Sequence, residues 1–219
     1  MRKCYIAPSI LSADFGYLAD EVRAVEGQAE YLHVDVMDGH YVDNLSFGIP
    51  IVQSLRKYTD MILDVHLMIT NPEKYIKRFA DAGADIITFH LECTDDPEGL
   101  SEMIRSLGLK SGIAVHPDTP IDKIIPYVDK TDKILLMTVV PGFGGQGYLE
   151  GSDERIKAVR QAIDDKGAAT LISCDGGINH STAARVYGAG CDVLVAGDAV
   201  FRNDDHAAAV KDLLASALS

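Results

Sequence analysis

Residues 33–44 read HVDVMDGHYVDN and residues 63–72 read LDVHLMITNP. Alternate side chains of an extended strand share a face. His33, Asp35 and Met37 therefore point one way, and His66 and Met68 share a face of the next run. A buried carboxylate is costly unless something binds it. Asp175, which closes the run TLISCD, supplies a second carboxylate at a strand end. Two imidazoles and two carboxylates meeting at one mouth suit a divalent zinc, manganese or iron ion, whose charge offsets their burial. No local His-x-x-x-His spacing ties His33, Asp35, His66 and Asp175 together, so the fold must. The plainer alternative makes the histidines hydrogen-bonded core residues and the aspartates helix caps; four such groups at corresponding strand ends weigh against it.

Glycine-rich turns supply a second kind of chemistry. PGFGGQ (141–146), DGG (175–177) and AGD (196–198) each follow an apolar run. Backbone amides in such turns can cradle a dianion without a lysine. Met37, Met68 and Met137 are ordinary core filler taken singly. Together, on runs that also carry the polar groups, they could line a water-poor pocket above an ion.

The elements that must position these residues alternate from end to end. Strands are predicted over 4–9, 31–37, 61–68, 85–92, 111–116, 133–140, 170–175 and 192–197. Between them lie amphipathic stretches such as DFGYLADEVRAVEG, NPEKYIKRFADAG, DPEGLSEMIRSLG, PIDKIIPYVDK, SDERIKAVRQAIDDKG, NHSTAARVYGAG and NDDHAAAVKDLLASAL. Eight strands alternating with eight helices predict a single-domain (β/α)8 TIM barrel over residues 1–219; a doubly wound open sheet is the competing architecture. Either way, reactive groups gather at the carboxyl ends of the strands, where Ser9, His33, Asp35, His66, Asp175, Gly197 and Asp198 fall.

Composition narrows the function. The apolar share of 47% and charged share of 24% over 219 residues are those of an ordinary globular chain. A net charge of −13 with no basic stripe argues against nucleic acid as a partner. No apolar run approaches the ~20 residues of a membrane span, and the opening MRKCYIAPSILSADFG reads as a first strand rather than a signal peptide. Cys4, Cys93, Cys174 and Cys191 lie far apart, which fits a reducing cytoplasm better than a disulfide framework.

APSILSADF (7–15), HVDVMDGHYVDN (33–44), LDVHLMITNP (63–72), MTVVPGFGGQ (137–146), DGGIN (175–179) and VLVAGDAVF (193–201) are long, ordered segments spread over the chain. Through them the sequence resembles the ribulose-phosphate 3-epimerases, metal-dependent barrels of the ribulose-phosphate-binding type. The resemblance implies that His33, Asp35, His66 and Asp175 hold one divalent ion (zinc, manganese, iron or cobalt). It implies that Asp35 and Asp175 are the two acid/base groups and that Ser9 and His66 contact substrate. Met37, Met68 and Met137 would line the pocket. The phosphate would lie on Gly142, Phe143, Gly144, Gly145, Gly176, Gly177, Gly197 and Asp198, mainly through amides. It further implies a homo-oligomer that interconverts D-ribulose 5-phosphate and D-xylulose 5-phosphate. Inverting a carbon beside a ketone needs one base on each face of the planar enediolate, with a Lewis acid to stabilise it.

Three residues depart from the family pattern. Asp198 stands where a small hydroxyl residue is usual, and a carboxylate facing a phosphate is repulsive unless it turns away to cap the following helix. Asp43 replaces a usual proline, and His116 sits at the end of the fifth strand, where asparagine or another polar residue is frequent. These leave open a 3-epimerase of another phosphorylated ketose, such as D-allulose 6-phosphate. A decarboxylase of the same superfamily would carry Asp-x-Lys where this chain has Asp64-Val65-His66. A non-catalytic sugar-phosphate sensor would have lost an aspartate, and both are present.

Overall fold

The computed structural model describes residues 2–219. Its eight strands are β1 (Tyr5–Pro8), β2 (Tyr31–Met37), β3 (Ile62–Met68), β4 (Ile86–His90), β5 (Lys110–Val115), β6 (Lys133–Met137), β7 (Leu171–Asp175) and β8 (Val193–Ala196). All neighbours pair in parallel, in the order β1-β8-β7-β6-β5-β4-β3-β2. A bridge between Ser9 and His33 joins the two ends of that order. The result is a nearly closed TIM barrel in a single domain, not the open sheet.

Strand parity divides the apolar residues into two layers. One parity, including Leu32, Val34, Leu63, Val65, Phe89, Ile134 and Leu194, faces outward and is buried under the helices. The other parity points into the barrel, where Tyr31, Ile86 and Val193 pack toward the amino end and Ala7 and Val195 lie one layer above, Val195 reaching the cavity at the carboxyl end. Above that floor the inward positions turn polar, and His33, Asp64, His66, Thr88, His90 and Ser173 are all fully buried. Layered filling of this kind makes a barrel interior a packed core rather than a pore.

The covering helices are α1 (Leu18–Val25), α2 (Ile49–Leu55), α3 (Ile76–Asp81), α4 (Pro97–Ser106), α5 (Ser152–Lys166), α6 (Ala183–Ala189), α7 (Asp198–Phe201) and α8 (His206–Ala217). Side chains of Asp96 and Asp205 cap α4 and α8 through the amides of Gly99 and Ala208. Gly167, with φ +61°, ends α5 in the left-handed conformation that other residues resist. The expected helix in PIDKIIPYVDK is instead two 3-10 turns, Ile121–Lys123 and Ile125–Tyr127. Pro126 has no N–H to donate and its ring crowds the preceding turn, so an α-helix cannot run through it. Helix α2, with Pro50 in its first turn, was announced by no amphipathic stretch. Among the described residues no helix is long and apolar enough to cross a membrane.

Two strand ends also differ from expectation. The run 85–92 leaves the sheet after His90 and turns through a 3-10 segment, Leu91–Cys93. The run 133–140 ends its strand at Met137, and Thr138 instead donates its hydroxyl to the carbonyls of Asp175 (2.9 Å) and Gly176 (2.6 Å). That turn starts the glycine loop at the carboxyl end of the barrel.

Candidate active site

At the carboxyl end of the strands lies a cavity of about 340 Å³. Ser9, Asp35, Met37, Met68, Met137, Gly142, Phe143, Gly144, Gly145, Asp175, Gly176, Gly177, Gly197 and Asp198 all line it. The fold thus brings the expected residues of the mouth to one place. His33 and His66 lie beneath, fully buried. Of the departures, Asp198 reaches the cavity, Asp43 is exposed on its loop, and His116 follows β5, outside the cavity lining.

The floor is a cluster of side chains from three strands. One ligand-type atom from each of His33, Asp35, His66 and Asp175 lies within 4.8 Å of the others. Register explains part of this, because β2 pairs with β3 so that Asp35 stands beside His66. His66 Nδ1 is 3.0 Å from Asp35 Oδ1 and 3.9 Å from Asp175 Oδ2. Ser9 donates its hydroxyl to Asp35 Oδ2 at 2.5 Å. His33 Nε2 lies 3.2 Å from Asp35 Oδ1, yet out of line for a hydrogen bond, and so is a buried ring nitrogen without a hydrogen-bond partner. Such an orphan is uncommon in a folded core. Two imidazoles and two carboxylates with an unused lone pair among them fit a divalent ion.

Electrostatics separates the two aspartates. Burial works against the Asp35 charge, but His33 and His66 outweigh it and hold this carboxyl well below the usual range. Burial and the neighbouring Asp35 charge push Asp175 the other way, up to about 7. Two carboxyls with opposed tendencies facing one cavity are the kind of pair that general acid/base chemistry uses. His33 is raised to about 10, since Asp35 and Asp64 outweigh its burial. The negative field that draws a proton to His33 draws a cation equally well. Burial lowers His66 to about 3, so its ring is neutral, as ligation requires.

Partners outside the cavity orient this floor. Asp64 Oδ2 meets His33 Nδ1 at 2.9 Å, which leaves Nε2 facing inward. The other Asp64 oxygen accepts from Lys133, which rises from the start of β6 and is itself 2% exposed. Sequence reasoning assigned neither residue a role at the site. Both share their strand parity with assigned residues, Asp64 with His66 and Lys133 with Met137, and that was the available signal. His90, also unassigned, follows Thr88 on the inward face of β4.

The opposite wall is backbone. Gly176 and Gly177 have φ of +117° and +67°, and a Cβ on either would strike Val139 at 2.3 Å or the Tyr148 backbone at 2.4 Å. A Cβ on Gly197 would meet Ser12 Oγ at 2.5 Å. Among the described residues, the amides of Gly176, Gly177, Gly197 and Asp198 donate to no backbone group outside the regular helices and strands, and amides at such turns suit an anion. Gln146 pins the 141–146 loop by donating to the carbonyls of Val140 (2.7 Å) and Phe143 (2.8 Å), and Asn44 reaches across to Gly142 (2.7 Å). The Asp198 side chain does not cap α7, whose N-cap is Gly197. It accepts instead from Ser12 Oγ at 2.7 Å and stays at the cavity edge.

Comparison with known proteins agrees with this geometry. Residues 5–201 match the Ribulose-phosphate 3 epimerase family. The ribulose-phosphate 3-epimerase of Mycobacterium tuberculosis is 49% identical over 208 residues, covering 95% of this chain and 90% of the relative. That of Bacillus subtilis is 45% identical over 213 residues, covering 96% and 98%. Among solved structures, KGPDC from Streptococcus mutans superposes with a TM-score of 0.73 at 15% identity, over 99% and 98% of the two chains. Orotidine 5'-phosphate decarboxylase from Pyrococcus horikoshii gives 0.71 at 15% identity, over 98% and 99%. These two share the fold alone. On the family match and the relatives near half identity, this chain is an isomerase that belongs to the ribulose-phosphate 3 epimerase family.

Proposed function

We propose that the chain interconverts D-ribulose 5-phosphate and D-xylulose 5-phosphate by two-base proton transfer between Asp35 and Asp175. The observation that carries this reading is the pair of carboxyls on one cavity, one held ionised and the other raised to about 7. Asp35, charged and fixed by the Ser9 hydroxyl, removes the proton at C3 from one face. Asp175 returns a proton to the opposite face, and the roles exchange for the reverse reaction. His33, Asp35, His66 and Asp175 would hold a divalent ion, which when bound would supply Lewis-acid polarisation of the ketone. Met37, Met68 and Met137 keep water from the carbon being inverted. The sugar phosphate lies on the amides of Gly176, Gly177, Gly197 and Asp198, with Gly142, Phe143, Gly144 and Gly145 closing over it.

The Asp198 carboxylate favours a second reading. It adds negative charge beside the anion turn, so a phosphorylated ketose of different length, such as D-allulose 6-phosphate, competes as the natural substrate. The resemblance also implies a homo-oligomer, and the four free cysteines accord with a reducing cytoplasm.

The test is turnover in deuterated water with a divalent metal and either ketose phosphate. Deuterium at C3 of the epimer supports the two-base scheme, and the better of the two kcat/KM values names the substrate. Full activity after exhaustive chelation would overturn the metal assignment. No C3 exchange with any phosphorylated ketose would overturn the reaction.

A further inference from the structure

Strand β4 brings a third histidine into the barrel beside the candidate ligands. His90 is fully buried, and its Nε2 lies 2.8 Å from His66 Nε2. Its other nitrogen, Nδ1, lies 2.7 Å from the Tyr41 hydroxyl and 3.3 Å from Glu92 Oε2. The Tyr41 hydroxyl is in turn 3.2 Å from that same carboxylate oxygen. Glu92 cannot swing away, because its other oxygen accepts from the His116 amide at 2.9 Å and from the Thr119 hydroxyl.

We propose that His90, Tyr41 and Glu92 are positioning residues that hold His66 as its Nε2–H tautomer and so reserve Nδ1 for a divalent ion. The inference rests on the metal-dependent reading above.

Proton counting along the chain gives the direction. Two ring nitrogens 2.8 Å apart share one proton, and each neutral imidazole carries one N–H. In one arrangement His66 Nε2–H donates to His90 Nε2, and His90 donates from Nδ1. That N–H points at the Tyr41 oxygen and Glu92, and the Tyr41 O–H completes the chain by donating to Glu92. Every donor then has an acceptor, and Oε2 of the carboxylate receives the protons it faces. In the reverse arrangement Tyr41 donates to His90 Nδ1, and Glu92 Oε2 confronts a ring lone pair at 3.3 Å with no proton between them. The Glu92 carboxylate therefore favours the first arrangement, whereas Asp35, 3.0 Å from His66 Nδ1, favours the reverse one unless a cation stands between them. Hydrogen bonds from the His116 amide and the Thr119 hydroxyl, neither of which depends on His90, favour the ionised Glu92 carboxylate.

With the His66 proton on Nε2, Nδ1 and Asp35 Oδ1 stand 3.0 Å apart with no hydrogen between them. A cation is what makes that pairing favourable. His33 reaches the same end by another route, since its Nδ1–H donates to Asp64 and leaves Nε2 facing the cavity. The two histidines thus present different nitrogens, each fixed by a carboxylate on the far side.

Two readouts test this without turnover. In zinc-loaded protein labelled with 15N-histidine, His66 is expected as the Nε2–H form and His90 as the Nδ1–H form; His90 protonated on Nε2 would overturn the proposal. Zinc affinity, measured by competition with a chromophoric chelator, is expected to fall about 10-fold or more in Glu92→Gln and Tyr41→Phe, with partial recovery in Glu92→Asp. Tyr41→Phe keeps the ring, so at least one variant retains local packing. Normal zinc binding by the wild type with unchanged affinity in both variants would overturn the orienting chain alone. A wild-type protein that binds no zinc would overturn the metal reading together with it.

Discussion

Two sectors of the barrel mouth work by different means. Strands β2, β3 and β4 present buried polar side chains, namely His33, Asp35, His66 and His90. Strands β6, β7 and β8 contribute mostly backbone, in turns where Gly176, Gly177 and Gly197 leave no room for a side chain; the exception is the Asp175 carboxylate, which joins the side-chain sector. The first sector depends on further side chains to neutralise and orient it, as Asp64 and Lys133 do for His33. The second needs only a main-chain conformation that glycine permits. Buried charge requires partners, whereas a cradle of amides requires space.

The comparison can be broken in four places. Replacing Asp35 or Asp175 by Asn removes a base without changing shape, and turnover is expected to fall about 10³-fold or more; substantial epimerisation by either variant would show that the side-chain sector does not carry the proton transfer. Lys133→Met leaves Asp64 as a buried carboxylate without its cation. A loss of about 3–5 kcal/mol in unfolding free energy is expected from denaturant titration, and the double variant with Asp64→Asn should regain part of it. An unchanged midpoint in the single variant would mean that the buried pair is not needed. Gly176→Ala probes the other sector, since its Cβ would lie 2.3 Å from Val139 at φ +117°. About 1–3 kcal/mol of strain is expected, and KM for the ketose phosphate should rise; a variant with wild-type KM would remove the anion turn from the binding site.

Asp198 is where the comparison is least clean, a carboxylate within a backbone site. Its repulsion toward a phosphate is of order 1 kcal/mol and is weakened by exposure. Asp198→Ser is therefore expected to lower KM several-fold and to tighten inhibition by inorganic phosphate. A raised KM would show instead that the carboxylate assists the substrate.

Much of this was legible in the chain. The run 31–37 is β2 to the residue, and its parity placed His33, Asp35 and Met37 inward. The helix expected through Pro126 failed because a missing N–H overrides an amphipathic pattern, and α2 was missed because IPIVQSL carries little polar contrast. Lys133 read as the solvated start of an apolar run, because one-dimensional pattern gives no hint that a lysine can be neutralised by an aspartate 69 positions away. The Thr88, His90 and Glu92 alternation was visible, yet Tyr41, which contacts both His90 and Glu92, lies on a distant loop.

Alternation of apolar and polar residues along each strand, with glycine where the backbone must turn tightly, was enough by itself to dictate alternating strands and helices and which side chains share a face, but not closure into a barrel rather than an open sheet. Such preferences act over a few residues, and a sequence carries them directly. Which nitrogen of each histidine faces the cavity, and which charge balances which, was settled only by strand register and closure. Those contacts join residues tens of positions apart, and their energies depend on distances that no local pattern encodes.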